Sequence, residues 1–514
     1  MQSKRWLLWI VLAGLVARVA AWMYFHAHTL ELVTMRLPDD ALYYFAIAHN
    51  VATGNGISFD GIHSTNGMHP LWVVLLTPIF WLDLSKWGYI HAALLLESLL
   101  DVITIWLIGS SVYHALHEQT ESNRRTAAGV AALIYALSAI VLLQGINGME
   151  TTLTALFFVL WFQSFLRTWS RNGWADWIGL GIVTGGLLLA RTDSFIVLIP
   201  ISLYLVLTRW QAAWLRMLLA LVVAGVVIAP WLWWNVSTFG TIMQSSGEAV
   251  PLLAFRKLHA LYGPSITGHL LWEALRNFLK PFWYAAFGLP LVTIAYAIVD
   301  RQAKLSSHEP ASYLLVLGGM LLLVVHSLFR GFIREWYVVE LIPLYLIALG
   351  VSSGANAGSS EARSAGRWTL AGVIIVLQAV LYLKPTYPSQ AAMLKSGIPL
   401  TRKLTERSNV ATFNSGYYGY FEEHPGRIVN MDGVVNSGAL RALQTGTLSA
   451  YLDRDSVQYI LDFRGDFGGY VNLFDRHLLN DFVLDSTILN QYDSSDPLVL
   501  YRRSDVIGQK EMTN

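Results

Sequence analysis

The chain predicts a polytopic α-helical membrane protein of about eleven spans, with a small extracytoplasmic α/β domain at its carboxyl end. Three observations predict it. First, the 514 residues are 54% hydrophobic and only 13% charged, against about 25% charged in soluble domains; mean hydropathy is +0.46. Second, basic residues fall between apolar runs of spanning length, in the alternation that the positive-inside rule demands. Third, the composition turns to that of a soluble domain after Pro385. A net charge of +1 gives no electrostatic case for nucleic acid. The absence of cysteine removes disulfides, thiolate chemistry and cysteine-ligated zinc.

Lys4 and Arg5 precede an apolar run from Trp6 to Phe25, long enough to span, so this is an uncleaved first helix that starts in the cytoplasm. Arg18 inside it either snorkels to the outer interface or faces the bundle. The segment Pro70–Leu82 has about 13 residues with Pro78 inside, too short to span, and is expected to lie in the outer interface. Trp87–Val112 returns inward to Arg124 and Arg125. Ala127–Leu143 goes out and Thr151–Phe165 comes back to Arg167 and Arg171. Trp177–Ala190 goes out, Phe195–Leu207 returns to Arg209 and Arg216, and Met217–Trp234 goes out again. An outer segment follows to Lys280. Pro281–Val299 then comes in to Arg301 and Lys304, Tyr313–Phe329 goes out, Trp336–Leu349 returns to Arg363 and Arg367, and Trp368–Leu383 goes out. Making Pro70–Leu82 a span would invert every one of these basic loops. The expected organisation is a membrane domain over 1–384, with an outer loop at 26–86, and an α/β domain over 385–514. In the latter GRIVNMDGVVN, SVQYILDF and PLVLYRR read as short strands.

Chemistry is expected in the outer loop. Asp39 and Asp40 follow Pro38 at the start of a helix closed by Gly54, where acids in the first turn are ordinary capping grammar. Two carboxylates exceed what one cap needs. Tyr43 and Tyr44 lie one turn on, within reach of Asp39 and Asp40. Adjacent carboxylates can also split their proton affinities and leave one a better base. Beyond the helix, Asp60-Gly61 and Asn66-Gly67 read as turns with His63 and His69 around them. His69 precedes Pro70 as a cap for the short helix, and a metal held by Asp40 with His63 or His69 is the second reading of this loop. Other polar groups reach the same side by topology: Glu150 at the start of a returning span, Arg191 and Asp193 at an outer turn, and Arg330 and Arg334 just before Trp336 and Tyr337. Arginines at outer turns run against the positive-inside bias and suit a bound anion, since their planar donors take two phosphate oxygens at once. Arg191 and Asp193 equally form an internal ion pair. An amphipathic substrate with a phosphate head and a lipid tail fits a carboxylate base, an arginine site and an apolar wall.

With Asp39-Asp40-Ala41-Leu42-Tyr43 after the first span, the Pro-Leu-Trp helix, Gly148-Met149-Glu150, Ala190-Arg191-Thr192-Asp193 and the run from Arg334 to Pro343, the first 385 or so residues resemble the multispan glycosyltransferases of the C-type (GT-C) fold. These use polyprenyl-phosphate-linked sugars; protein O-mannosyltransferases and lipid A aminoarabinose transferases are examples. The resemblance implies that Asp39 is the catalytic base, that Asp40 supports it or holds a metal, and that Glu150 is a second acidic contributor. The second acidic position is often Glu in such proteins and is Asp here. It further implies a donor phosphate at Arg191, Arg330 and Arg334. Tyr43, Tyr44, Asn66, His69, Asp193 and Tyr337 are then candidates for the substrate pocket. Members differ in their need for a divalent cation, so no cofactor is assigned.

The implied reaction is a single inverting displacement of the sugar onto an acceptor hydroxyl of a glycan, lipid or protein, at the outer face of the plasma (inner) membrane. A secondary transporter or lipid flippase is the competing class; it predicts paired repeats and broken midplane helices, and no repeat is visible. In the α/β domain, Asn414, Tyr417, Asn430 and Asp432 fall in apparent loops, where they either shape the acceptor site or pack the domain.

Overall fold

The computed structural model describes residues 5–263, 272–273, 275–276, 309–329, 333–355, 366–369, 371–376, 386–490 and 496–504. The expected span Pro281–Val299, with Arg301, Lys304, Arg330 and Arg363, lies outside these residues. The chain packs into two compact units, one of 1–27, 94–231 and 270–384, the other of 28–93, 232–269 and 385–514. The sheet-bearing carboxyl segment thus shares its unit with most of the first outer loop and with the stretch after Leu232.

The first unit is a helical bundle. Among the described residues, five helices are long and apolar enough to cross a membrane: Arg5–Ala27, Lys86–Ala115, Thr192–Phe239, Ala311–Phe329 and Glu335–Gly354. Their lengths and composition are those of an integral membrane protein. Small residues let the backbones approach. A Cβ on Gly181 would lie 2.6 Å from the Ala220 carbonyl oxygen, one on Gly185 2.5 Å from Val227, and one on Gly318 1.9 Å from the Val197 carbonyl oxygen. Gly181 and Gly185 form the small-xxx-small spacing that membrane helices use for close contact. Arg18 does not snorkel. It is buried, its Nε donates to Asp101 Oδ2 at 2.7 Å, and Nη1 reaches the carbonyls of Gly14 and Ala136. Tyr135 donates to the other Asp101 oxygen at 2.6 Å. An intramembrane arginine is tolerable when paired in this way.

Four expected spans differ. Phe195–Leu207 and Met217–Trp234 join into one helix, Phe195–Phe239, of 45 residues, or about 68 Å at 1.5 Å per residue. The intervening Thr208–Arg216 contains no glycine or proline to turn the chain. Arg209 and Arg216, expected in a cytoplasmic loop, instead lie over the rings of Trp169 at 4.1 Å and Trp174 at 5.2 Å. Ala127–Leu143 is Glu121–Leu137 and Ala139–Gln144, broken at Ser138. Trp336–Leu349 is Glu335–Val339 and Ile342–Ala355, broken beside the buried Glu340.

The second unit is built on a five-stranded sheet of β1 (Asn409–Thr412), β2 (Ile428–Asn430), β3 (Val457–Phe463), β4 (Phe482–Ile488) and β5 (Leu498–Arg503), in the order β2-β1-β3-β5-β4. β2, β1 and β3 pair parallel, and β5 pairs antiparallel with both β3 and β4. β2, β3 and β5 fall where their sequences predict strands. β1 is short and β4 is mostly exposed, so neither shows the apolar run that marks a buried strand. Phe413, Met431, Leu443, Leu452, Ile460 and Phe467 fill the core between sheet and helices, each worth about 1.5–3 kcal/mol when fully buried. The helix Ser437–Thr445 starts at Asn436, whose side chain accepts from the amides of Gly438 and Ala439, and stops at the left-handed Gly446; both are standard signals. Leu252, on the helix Ser245–Tyr262, packs against this core. Pro70–Leu76 and the 3₁₀ turn Thr77–Trp81 form the short apolar element expected here, with Val74 and Trp81 exposed.

Candidate functional site

The acid pair opens the helix Asp39–Ala52 in the second unit. Pro38 holds the extended conformation before it, which suits a helix entry. Asp39 caps a helix, but not its own: its Oδ2 accepts from the Gly416 amide at 2.9 Å and its Oδ1 from the Tyr417 amide at 2.8 Å. These are the first amides of the helix Gly416–Phe421, which would otherwise lack partners. Asp39 is 9% exposed, whereas Asp40, next to it, is exposed. Burial pushes the Asp39 carboxyl up to about 7, and the charges of Asp40 and Asp432 add to this, while the two amides oppose it.

Tyr43 does not turn back to Asp39. Its hydroxyl donates to Asp432 Oδ2 at 3.2 Å and receives the Ser415 amide and hydroxyl, both at 3.3 Å. Tyr417 is fully buried and donates to the Leu37 carbonyl at 2.9 Å. Asn430 donates to Ser415 Oγ at 2.7 Å. Asn414 donates to Asp462 at 2.8 Å and to Asp466 at 2.9 Å. Burial and the Asp466 charge push Asp462 up to about 6. It gathers the Phe413 and Asn414 amides onto one oxygen, tying the end of β1 to β3. Asp432 is likewise pushed up to about 7, chiefly by burial.

The rest of the loop divides. Tyr44 is buried in the same helix. Asn66 donates to the Met243 carbonyl and accepts from the Ser245 amide, both at 3.1 Å, so it anchors the loop rather than lining a pocket. Gly61 has a positive φ of 79° as its turn requires. Gly67 does not; it is glycine because a Cβ there would sit 1.8 Å from the Val434 carbonyl oxygen. His69 holds the position before Pro70 without capping the short helix through its side chain. His63 Nδ1 lies 2.7 Å from Asp60 Oδ2. Among the described residues no three His, Asp or Glu side chains are arranged to hold a metal ion.

In the first unit, Arg191 corrects an expectation. Its buried guanidinium binds Glu150 Oε1 at 2.9 Å through Nη1, and Asp193 Oδ1 at 2.9 Å and Glu340 Oε1 at 3.3 Å through Nε. The ring of Tyr337 lies 4.6 Å beneath it. Asp193 Oδ2 is 2.8 Å from His326 Nε2, and His326 packs edge-on to Tyr337. Three carboxylates around one guanidinium leave an anion repelled from this position, so Arg191 is the centre of an ion-pair cluster rather than a phosphate ligand. Glu150 is committed to the same cluster. Arg334 is exposed, its guanidinium 5.8 Å from the Trp336 ring. The cluster members missed in the sequence are Glu340 and His326; an acid inside the apolar run from Trp336 to Leu349 was the available signal.

Comparisons with known proteins agree with this architecture. Residues 73–234 match the family of dolichyl-phosphate-mannose-protein mannosyltransferases. No curated protein matches the chain. Among solved structures, the oligosaccharyltransferase AglB from Archaeoglobus fulgidus, in complex with an inhibitory peptide and a dolichol-phosphate, superposes with a TM-score of 0.54 at 13% identity, covering 98% of this chain and 75% of that one. ArnT from Cupriavidus metallidurans, bound to undecaprenyl phosphate, gives a TM-score of 0.51 at 12% identity, covering 97% of this chain and 98% of that one. The chain therefore has the fold of the C-type multispan glycosyltransferases, and residues 73–234 match a mannosyltransferase family within it.

Proposed function

We propose that the protein is an inverting glycosyltransferase that moves a sugar from a polyprenyl-phosphate donor to an acceptor hydroxyl, at the outer face of the plasma (inner) membrane. The carrying observation is the Asp39 carboxylate, fixed by two backbone amides and raised to about 7. A general base works best when its proton affinity lies near the operating pH and its position is preset. In the reaction, Asp39 takes the acceptor O–H proton as that oxygen attacks the anomeric carbon. The bond from this carbon to the phosphate oxygen breaks with its electron pair, and polyprenyl phosphate leaves as an anion. Asp40, exposed beside it, supports the base. Arginine suits such a departing charge, and Arg334 and Arg330 remain the candidates for a donor phosphate; Arg191 is spent on its three acids. A lipid-borne donor suits this setting, because its prenyl tail can lie along apolar helices.

The test incubates purified protein with a panel of polyprenyl-phosphate sugars, then repeats the assay with Asp39→Asn and Asp40→Asn. Asp39→Asn is expected to lower turnover by roughly 10²–10⁴-fold with donor binding kept. It also sets an NH2 against one capping amide, at about 1–3 kcal/mol, so thermal unfolding is measured alongside. Near-normal turnover in Asp39→Asn with loss in Asp40→Asn would move the base to Asp40. Donor translocation across liposomes with no covalent product would overturn the glycosyltransferase reading.

A further inference from the structure

We propose that Asp432, in the loop after β2, is a positioning residue for the acid pair, acting on Asp39 through the Tyr43 hydroxyl. The proposal rests on the glycosyltransferase reading above, in which Asp39 is the base.

The argument begins with topology. β1 lies between β2 and β3, so the chain leaves it first to one side and then to the other. In open parallel sheets the crevice outside the carboxyl ends of the strands at such a switch point is where ligands bind. Residues 413–417 follow β1, 431–434 follow β2 and 464–466 follow β3. The amino end of the acid helix is held against the first two of these loops.

Tyr43, Ser415, Gly416 and Asp39 form a closed ring to which Asp432 is tied at Tyr43. Asp432 accepts from Tyr43, Tyr43 accepts from Ser415, the next amide, Gly416, donates to Asp39, and Asp39 and Tyr43 share one helix turn. Val434 fixes the second Asp432 oxygen through its amide at 2.8 Å. Moving Asp432 would therefore move Tyr43 and with it the frame that holds the base. Charge gives the second part of the argument. Among the described residues no Lys, Arg or His is paired with Asp432, yet it is held near Asp39 and Asp40. Gathering like charges in a half-buried place lowers stability, and such arrangements concentrate at functional sites. The groups facing Asp39 are Asp40 and Tyr43 on its own helix, Asp432 from the loop after β2, and Tyr417 and Tyr418 from the capped helix, with Tyr387 behind Tyr417. The cation nearest in sequence is the buried Arg36. Removing the Asp432 charge thus lets Asp39 lose its proton at lower pH.

The test is a pH–rate profile of the full chain with the polyprenyl-phosphate sugar that the wild type consumes. Asp432→Asn keeps an oxygen for one of its two donors and sets its NH2 against the other, at a cost in stability, so thermal unfolding is measured alongside. Its acid limb is expected to move by roughly 0.5–1 unit toward lower pH, with kcat down about tenfold or more and the donor KM within about twofold of wild type. Asp432→Glu is expected to restore the position of the limb. A limb at the wild-type pH, or kcat within about twofold of wild type, would overturn the proposal. If the wild type consumes no donor, the glycosyltransferase reading fails, and infrared titration of the carboxyl bands then decides this one. The band that disappears in Asp39→Asn should titrate at lower pH in Asp432→Asn, and an unmoved titration overturns it.

Discussion

At Gly416 an added methyl group would lie 2.1 Å from the Asp39 carbonyl oxygen and 2.9 Å from its carboxyl carbon. The acid helix and the capped helix touch through bare backbone at this point. Gly416→Ala is therefore expected to destabilise the protein by about 1–3 kcal/mol, read as a lower melting temperature in detergent, and to lower activity with it. Gly468→Ala is the control: a Cβ there meets nothing within 4 Å, and alanine favours a helix interior over glycine by about 1 kcal/mol. An unchanged melting temperature for Gly416→Ala would contradict the tight docking. Gly416 does not stand apart in sequence, because its constraint comes from a residue more than 370 positions away. Asp39 was legible as a functional candidate from its place after the first span. Its partners were not, since hydrogen bonds to main-chain amides leave no mark on side-chain identity.

At the scale of elements, the Arg191 cluster joins the starts of two helices to the break beside Glu340. Glu150 precedes Thr151–Arg171, Arg191 and Asp193 precede Phe195–Phe239, and Glu340 follows Glu335–Val339. Arg191→Met would leave Glu150, Asp193 and Glu340 facing one another in a buried place. The expected loss is about 3–5 kcal/mol, measured by thermal unfolding, and Arg191→Lys is not expected to recover it, since one ammonium cannot replace the planar fork. An unchanged melting temperature with weakened donor binding would instead return Arg191 to the phosphate. The residues of this cluster were visible one by one, and their mutual pairing was not. The join of 195–207 to 217–234 has a similar origin. Charge statistics placed a turn at Arg209 and Arg216, but Trp169 and Trp174 offer the two cations aromatic faces along a continuous helix.

At the scale of the molecule, the carboxyl segment completes the proposed site. Both Asp39 amides and the Tyr43 partners come from residues 413–432, so a chain cut after Lys384 is expected to lose transfer activity. Near-wild-type turnover by residues 1–384 in the donor-panel assay would make the α/β segment an accessory. The sequence by itself determined that the chain carries several apolar runs of membrane-spanning length, because apolar length is a local property of the string, and its short motifs supplied the resemblance to the C-type glycosyltransferases. It likewise determined three of the five strands, through their runs of branched and aromatic residues. Only the tertiary structure decided that Asp39 is clamped by Gly416 and Tyr417, that Asp432 stands behind Tyr43, and that Arg191 answers to carboxylates. Each of those facts is a meeting between segments distant in the chain, set by packing and by the need to satisfy buried polar groups, which no local pattern encodes.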